Sequence, residues 1–382
     1  MNQDEKIKVL LIGPKLPIGG RGRFVDDFFE ANPPFELFLY DIQRSLKKQI
    51  KSYRINSYQT IFNAGIKRLV NSAVITMTNI VRFPNHFRKI NPEVVYFSTG
   101  GYFNFWDICP YIFYMRKKSK KIILHWLGPL EPFYFRSSAI VKYLIRQVLN
   151  NASISIVLTK KDKLLISRLA PGKKLYYIPS SVRLEKFIQA KPSFPINVEK
   201  ECFKILFLGS LDPFRKGLPT LLEAFSLVLS STRKNVLLLV SGGDSCLRLL
   251  NELPTSVMQK VTFLSLINEQ DKASLFKSCD LMVLPSHDEG MPYTLVESMA
   301  ASLPIIASNI GGIPDIVHDG ENGFLLSPGQ PQQLAEKILI LINNPDLCNE
   351  FGRKSLELAQ KNHSLDQMFK SIFELCLAHN DQ

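Results

Sequence analysis

The chain has 382 residues, 46% of them hydrophobic and 21% charged, enough apolar mass for two cores of ordinary size, which argues against a disordered or fibrous protein. The net charge of +13 is unevenly placed: residues 1–190 hold 31 Lys+Arg against 12 Asp+Glu and the remainder 16 against 22, so the two halves are expected to meet different partners. The cysteines include no Cys-x-x-Cys pair, the N-terminal MNQDEKIK lacks the apolar core of a secretory leader, and the most hydrophobic stretch, Val94 to Met115, is interrupted by Asn104, Asp107 and Pro110, which argues against a disulfide scaffold, secretion or a membrane span and for a reducing cytoplasm.

Short apolar runs bounded by turn residues alternate with helical patterns throughout, as in parallel α/β sheets. In the first half the predicted strands are Val9–Ile12, Glu36–Tyr40, Val94–Phe97, Ile122–His125, Ile154–Leu158 and Tyr176–Ile178. The first leads into GPKLPIGGRGRF, where Gly19 and Gly20 let the backbone approach a ligand closely and Arg21 and Arg23 offer charge to an anionic acceptor. No acidic residue lies between Asp41 and Glu93, whereas Arg44, Lys47, Lys48, Lys51, Arg54, Lys67, Arg68, Arg82, Arg88 and Lys89 are basic. Interleaved with Tyr53, Tyr58, Phe62, Phe83 and Phe87, and joined by the RKKSKK run of Arg116 to Lys121, these charges read as a surface for anionic lipid headgroups. Nucleic acid ranks lower as a partner because no nucleic-acid-binding motif accompanies the charge. His125 closes the fourth strand in IILHWLG; a single histidine among apolar residues is ordinarily a packed core residue.

A domain boundary is expected between Ser181 and Glu201, where Pro192 and Pro195 interrupt a polar stretch. Beyond it the predicted strands are Lys204–Leu208, Val236–Val240, Val261–Leu264, Leu281–Leu284, Ile305–Ala307 and Phe324–Leu326. The loop GSLDPFRKG, from Gly209, carries Arg215 and Lys216, cations suited to neutralising a leaving diphosphate. The stretch PSHDEGMPYTLVESMAASLPIIASNIGGIP is the most informative in the chain. Pro292 suits a first helical position, so a helix should begin near Met291 to Thr294 and turn its N-terminus, with the unpaired N–H groups and positive dipole end, toward the loop. Glu289 and Glu297 flank that anion site, where carboxylates suit hydroxyl-rich groups such as a sugar and a ribose. After Ser364 an apolar stripe of Met368, Phe369, Ile372, Phe373 and Leu375 marks a closing helix.

EGMPYTLVE, with Glu289 and Glu297 eight positions apart, followed by GGIPDIV and DGENGFL, resembles the C-terminal signature of glycosyltransferase family 4, retaining enzymes of the GT-B architecture. The resemblance is dense from Phe203 to Pro328. It implies two Rossmann-like domains facing a central cleft, residues 1–182 for the acceptor and 183–363 for the nucleotide sugar, with residues 364–382 forming a helix that crosses back to the first. It further implies a catalytic set of His125, touching the transferred sugar, Glu289 and Lys216. Donor contacts would come from Gly19, Gly20, Gly209, Arg215, Lys216, Gly290, Met291, Pro292, Tyr293, Thr294 and Glu297, and acceptor-side contacts from Arg21, Arg23 and Trp126. The chain departs from the pattern at Ser210, where the family commonly has arginine, and at Pro179 to Arg183. No cofactor or metal is implied, since basic side chains and helix ends would hold the diphosphate.

The expected function is a retaining glycosyltransferase that moves a sugar from a nucleoside diphosphate to a lipid-linked, possibly polyprenyl-linked, or membrane-proximal glycan in surface polysaccharide assembly of the lipopolysaccharide kind. It would lie peripherally on the inner face of the cell membrane. Two alternatives stand beside it: an inactive GT-B partner or scaffold of another transferase, and a sugar-nucleotide epimerase.

Overall fold

The computed structural model describes residues 6–14, 20–42, 66–116, 118, 120–196, 201–210 and 212–378, and it divides into two units. Unit 1 comprises the described residues up to Pro179 together with those from Asp366 onward, and unit 2 runs from Ser180 to Leu365. The two ends of unit 2 pair with each other. Val182 bridges Ser364, with Val182 N donating to His363 O and Leu365 N to Val182 O, each at 3.0 Å.

Unit 1 contains β1 (Lys8–Gly13), α1 (Gly20–Glu30), β2 (Glu36–Asp41), α2 (Ile66–Ile90), β3 (Val94–Thr99), α3 (Phe103–Met115), β4 (Lys121–Trp126), α4 (Glu131–Arg136), α5 (Ala139–Asn151), β5 (Ile154–Val157), α6 (Lys160–Leu169) and β6 (Lys174–Tyr177). All six strands are parallel in the order β2-β1-β3-β4-β5-β6, so the connection reverses direction between β1 and β3. Side chains on successive strand positions point to opposite faces. Phe97, Leu124 and Trp126 join the core beneath α2, α3, α5 and α6. Tyr96 and His125 face the other way, into an aromatic cluster with Phe24 and Phe28 of α1.

The closing helix completes that second face. It belongs to unit 1, and Phe369 and Phe373 lie 5.5 Å from Phe28, ring centre to ring centre. Such pairs contribute about 0.5–1.5 kcal/mol each beyond area burial. Lys121, from the basic run expected on a lipid-facing surface, is buried instead: its ammonium donates to the carbonyls of Cys376 and Ala378, where a cation offsets the negative end of the helix dipole. Phe83 and Phe87 are likewise core residues packed on Tyr111 and Tyr114. They therefore do not belong to the basic surface on which the sequence reading placed them. Arg82, Arg88 and Lys89 are exposed, whereas Arg44 to Phe62 and the side chains of Lys67 and Arg68 lie outside the described residues.

Unit 2 contains α7 (Leu184–Ile188), β7 (Phe203–Ser210), α8 (Leu218–Ser231), β8 (Val236–Gly242), α9 (Asp244–Asn251), α10 (Thr255–Met258), β9 (Val261–Phe263), α11 (Lys272–Lys277), β10 (Leu281–Leu284), α12 (Tyr293–Ala300), β11 (Ile305–Ser308), β12 (Gly323–Leu326), α13 (Pro331–Asn343) and α14 (Pro345–Asn362); unit 1's closing helix is α15 (Leu365–Leu377). The strand order is β12-β11-β10-β7-β8-β9, all parallel, which places the topological switch point between β7 and β10. Open α/β sheets bind ligands outside the carboxyl ends of the strands at such a point. The two loops leaving it are those that carry Lys216 and Glu289.

Candidate functional site

Two glycines bring these loops together. Gly217 adopts φ +77° as the N-cap of α8, and a Cβ there would lie 1.9 Å from the carbonyl oxygen of Pro285 at the end of β10. Gly311, at φ +52°, packs against the Glu289 backbone so closely that a Cβ would lie 2.0 Å from its carbonyl oxygen. Only a residue without a side chain fits either place at tolerable strain. His287 N donates to Arg215 O at 2.8 Å, and Gly312 N to Gly290 O at 2.6 Å, so the loops after β7, β10 and β11 form one hydrogen-bonded assembly.

Three side chains converge on the Glu289 carboxylate. Lys216 Nζ lies 2.5 Å from Oε1, Ser286 Oγ donates to the same oxygen at 2.9 Å, and Arg215 Nη1 lies 3.8 Å away while donating to Asp288 O at 2.7 Å. Lys216 and Glu289 are both buried. Two cations approach the one carboxylate of Glu289, while Asp212 Oδ1 accepts from Arg215 N at 3.1 Å on the same loop. Helices α8 and α12 start at the switch point with no side-chain cap on either N-terminus, adding the positive ends of two dipoles. An anionic group with hydroxyl neighbours fits that field: the anion meets Arg215, Lys216 and the helix ends, and the carboxylate accepts from a hydroxyl.

Helix α12 begins at Tyr293, with Pro292 in an extended conformation as its N-cap rather than as the first helical residue expected from sequence. Thr294 lies in the first turn. One turn further on, Glu297 has no exposed surface, and its Oε1 accepts from Lys272 Nζ at 3.2 Å. Lys272 also lies 2.6 Å from Glu269, which Lys186 reaches at 3.7 Å. Met291, in the loop between Glu289 and α12, accepts two hydrogen bonds from Ser180, one from its N at 3.2 Å to Sδ and one from its Oγ at 3.3 Å to the carbonyl oxygen. Ser180 O in turn accepts from the His363 ring at 2.7 Å. Burial lowers the His363 pKa to about 4, so the ring is neutral at ordinary pH. The segment Pro179–Arg183, where the chain departs from the family pattern, thus braces the loop that holds Met291.

Sequence reasoning missed Lys272, Ser286, Ser180 and His363. Ser286 carried a signal, a hydroxyl three residues before a carboxylate on a turn. The others meet their partners across distances in sequence that no local pattern encodes.

The remaining expected residues lie in unit 1 or at the end of β7. Gly209 packs its backbone over the Phe207 ring, and the side chain of Ser210 lies outside the described residues, as does Gly19. Gly20 opens α1. Arg21 Nη2 donates to Ser98 O at 2.8 Å and Nη1 lies 3.8 Å from Asp107, which ties α1 to the end of β3 at the switch point of unit 1; Arg23 pairs with Asp27 at 3.7 Å. His125 and Trp126, expected at the transferred sugar and the acceptor, lie inside unit 1. Both have no exposed surface: His125 is packed edge-on to Phe24 with Nδ1 2.7 Å from the Tyr96 hydroxyl, and Trp126 stacks on Phe105. Burial lowers the His125 pKa to about 3.

Among the described residues no group of three or more His, Cys, Asp or Glu side chains is placed to hold a metal ion, and no helix is long and apolar enough to cross a membrane. Across 97% of its length the chain resembles HepE of Anabaena, solved with UDP, at a TM-score of 0.69 and 16% identity, covering 99% of that chain. It is 30% identical over 158 residues to a phosphatidyl-myo-inositol mannosyltransferase of Mycobacterium leprae, a match spanning 41% of this chain and 42% of that one. It is 26% identical over 239 residues to the capsular polysaccharide biosynthesis glycosyltransferase CapM of Staphylococcus aureus, spanning 60% and 62%. The match thus covers less than two thirds of either curated relative. Residues 189–357, which include both carboxylates, both cations and the glycine-braced loops, match the family of glycosyl transferases group 1, and the chain has the GT-B fold of its structural neighbours.

Proposed function

We propose that this chain is a retaining glycosyltransferase that moves a sugar from a nucleoside diphosphate to a lipid-linked or membrane-proximal glycan acceptor in surface polysaccharide assembly. The observation that carries the reading is the convergence of Lys216, Arg215 and Ser286 on Glu289 at the switch point of unit 2, between two uncapped helix N-termini. Arg215, Lys216 and the helix ends would receive the diphosphate, Glu289 a sugar hydroxyl and Glu297 the ribose. As the glycosidic bond breaks, negative charge grows on the diphosphate and positive charge on the anomeric carbon. Fixed cations on one side and a carboxylate near the other stabilise that separation, and the acceptor hydroxyl attacks from the face the diphosphate leaves.

The cations present support transfer without a divalent metal. A lipid-linked or cell-surface glycan as acceptor is supported by the names of the mannosyltransferase and CapM and by the basic charge of the first half of the chain. The decisive experiment is a calorimetric screen of UDP-, GDP- and ADP-sugars against the purified protein, followed by transfer to a lipid-linked acceptor with and without chelator, and NMR of the product linkage. Binding of one donor, chelator-resistant transfer and a retained anomeric configuration are expected. No donor binding, or an inverted product, would overturn the reading.

A further inference from the structure

Between Glu131 and Asp162 the chain has no acidic residue, and the structure folds that stretch into a rigid double helix end with apolar side chains on its outside. Helix α5 buries Ile145, Val148 and Leu149 against the core, yet its outward first turn exposes Ile140 by 73% and Tyr143 by 60%, and α4 exposes Phe135 by 63%. A helix serving water on its outer face has no use for a second apolar stripe. The arrangement is firmly held: Asp162 accepts from Glu131 N at 2.8 Å at the start of α4, Arg146 donates to the Tyr134 hydroxyl at 3.2 Å, and the Lys142 ammonium lies 5.5 Å from the Tyr134 ring centre. Arg136 and Arg146 are exposed beside the apolar residues.

We propose that the outer face of α4 and α5 is the surface by which the chain docks on an anionic phospholipid bilayer, with Phe135, Ile140 and Tyr143 entering the headgroup boundary and Arg136, Lys142 and Arg146 meeting lipid phosphates. The proposal rests on the membrane-proximal acceptor of the preceding section and names the surface that would meet the membrane. Exposed aromatic and aliphatic side chains rimmed by cations are what an interfacial site requires. Glu131, at the start of α4, is the one carboxylate of these two helices, and the surplus of cations on them decides between occupants. A second copy meeting this face through a twofold axis would set arginine against arginine, whereas anionic headgroups neutralise both.

The test uses the full chain in co-sedimentation with phosphatidylcholine vesicles, with and without phosphatidylglycerol, over a salt series. Wild type should favour the anionic vesicles. Replacing Phe135, Ile140 and Tyr143 together by serine should lower partitioning at least about tenfold at every salt concentration. Arg136→Gln with Arg146→Gln should lower it about fivefold per charge at low salt, with the difference closing at high salt. Far-ultraviolet circular dichroism and nucleotide-sugar binding, measured on the same samples, should match wild type. Serine variants that partition like wild type, equal binding to neutral and anionic vesicles, or a wild-type dimer abolished by the serine substitutions would each overturn the proposal. Vesicle docking without any donor binding would remove the transferase reading and leave the docking face standing.

Discussion

Lys272 Nζ lies 3.2 Å from Oε1 of Glu297, a carboxylate with no exposed surface, and so supplies a positive partner to a buried charge. Removing one partner of a buried ion pair costs about 3–5 kcal/mol. Lys272→Met should therefore weaken UDP or GDP binding at least about tenfold, or about 1.4 kcal/mol. The same nucleotide lacking its ribose hydroxyls should lose less than about twofold, and Lys272→Arg should restore binding. Calorimetry with both nucleotides checks this: equal losses would show that Lys272 supports the fold and not the ribose contact.

At the neighbouring carboxylate the two partners should behave differently. Glu289→Gln leaves Lys216 without its counter-charge but keeps an amide oxygen to accept from Lys216 and Ser286, and should lower transfer at least about tenfold with a smaller fall in melting temperature than Lys216→Ala. Lys216→Ala should lower transfer as much and also depress the melting midpoint, because removing one member of a buried pair costs about 3–5 kcal/mol. Initial rates and thermal melts on both variants separate the effects.

Arg215 holds Asp288 O and approaches Glu289, so it both braces the loop and offers a second cation. Arg215→Ala should impair transfer about as severely as Lys216→Ala, and adding Ser210→Arg should recover part of the rate by returning charge to the end of β7. A change of less than about twofold in Arg215→Ala would leave Lys216 as the working cation of this loop.

His125 is read as structural. His125→Phe preserves the ring between Phe24 and Tyr96 while removing the hydrogen bond to the Tyr96 hydroxyl, so stability should fall by about 1–2 kcal/mol and the transfer rate by less than about twofold. Denaturant titration and steady-state rates decide it. A rate loss above about tenfold at unchanged stability would return His125 to the catalytic set.

His363 sets a pH dependence of stability. Its folded pKa is lowered from 6.5 to about 4, so between those values the unfolded chain binds more protons. The stabilisation is present above about pH 6.5 and is lost as pH falls toward 4; the shift corresponds to about 3 kcal/mol. His363→Gln should flatten the fall in denaturant midpoint over this window, measured at pH 7, 5.5 and 4. An identical slope in the variant would assign the acid sensitivity to other groups.

The twelve strands lie where alternation of apolar runs and turns put them, because each strand's interior position is written in its own residues. The shapes of the loops that carry Lys216 and Glu289 also have local signals, since glycines at left-handed positions and a proline before a helix specify loop shape locally. The burial of His125 was not legible, because the same HWLG string suits either a ring presented at a strand end or a ring packed beneath a helix. The choice depends on α1 and α15, which arrive from 100 residues upstream and more than 230 downstream.

By itself the sequence determined the parallel α/β class and the asymmetry of charge, both properties of local pattern and composition. Tertiary structure alone decided that Lys121 caps a helix 250 residues away, that Lys272 stands against Glu297, that Ser180 and His363 brace Met291, and that α4 and α5 turn apolar side chains outward. Each of these depends on burial and on contacts between elements distant in sequence. Whether a charge is solvated, paired or buried is a property of its surroundings, and those exist only once the chain has folded.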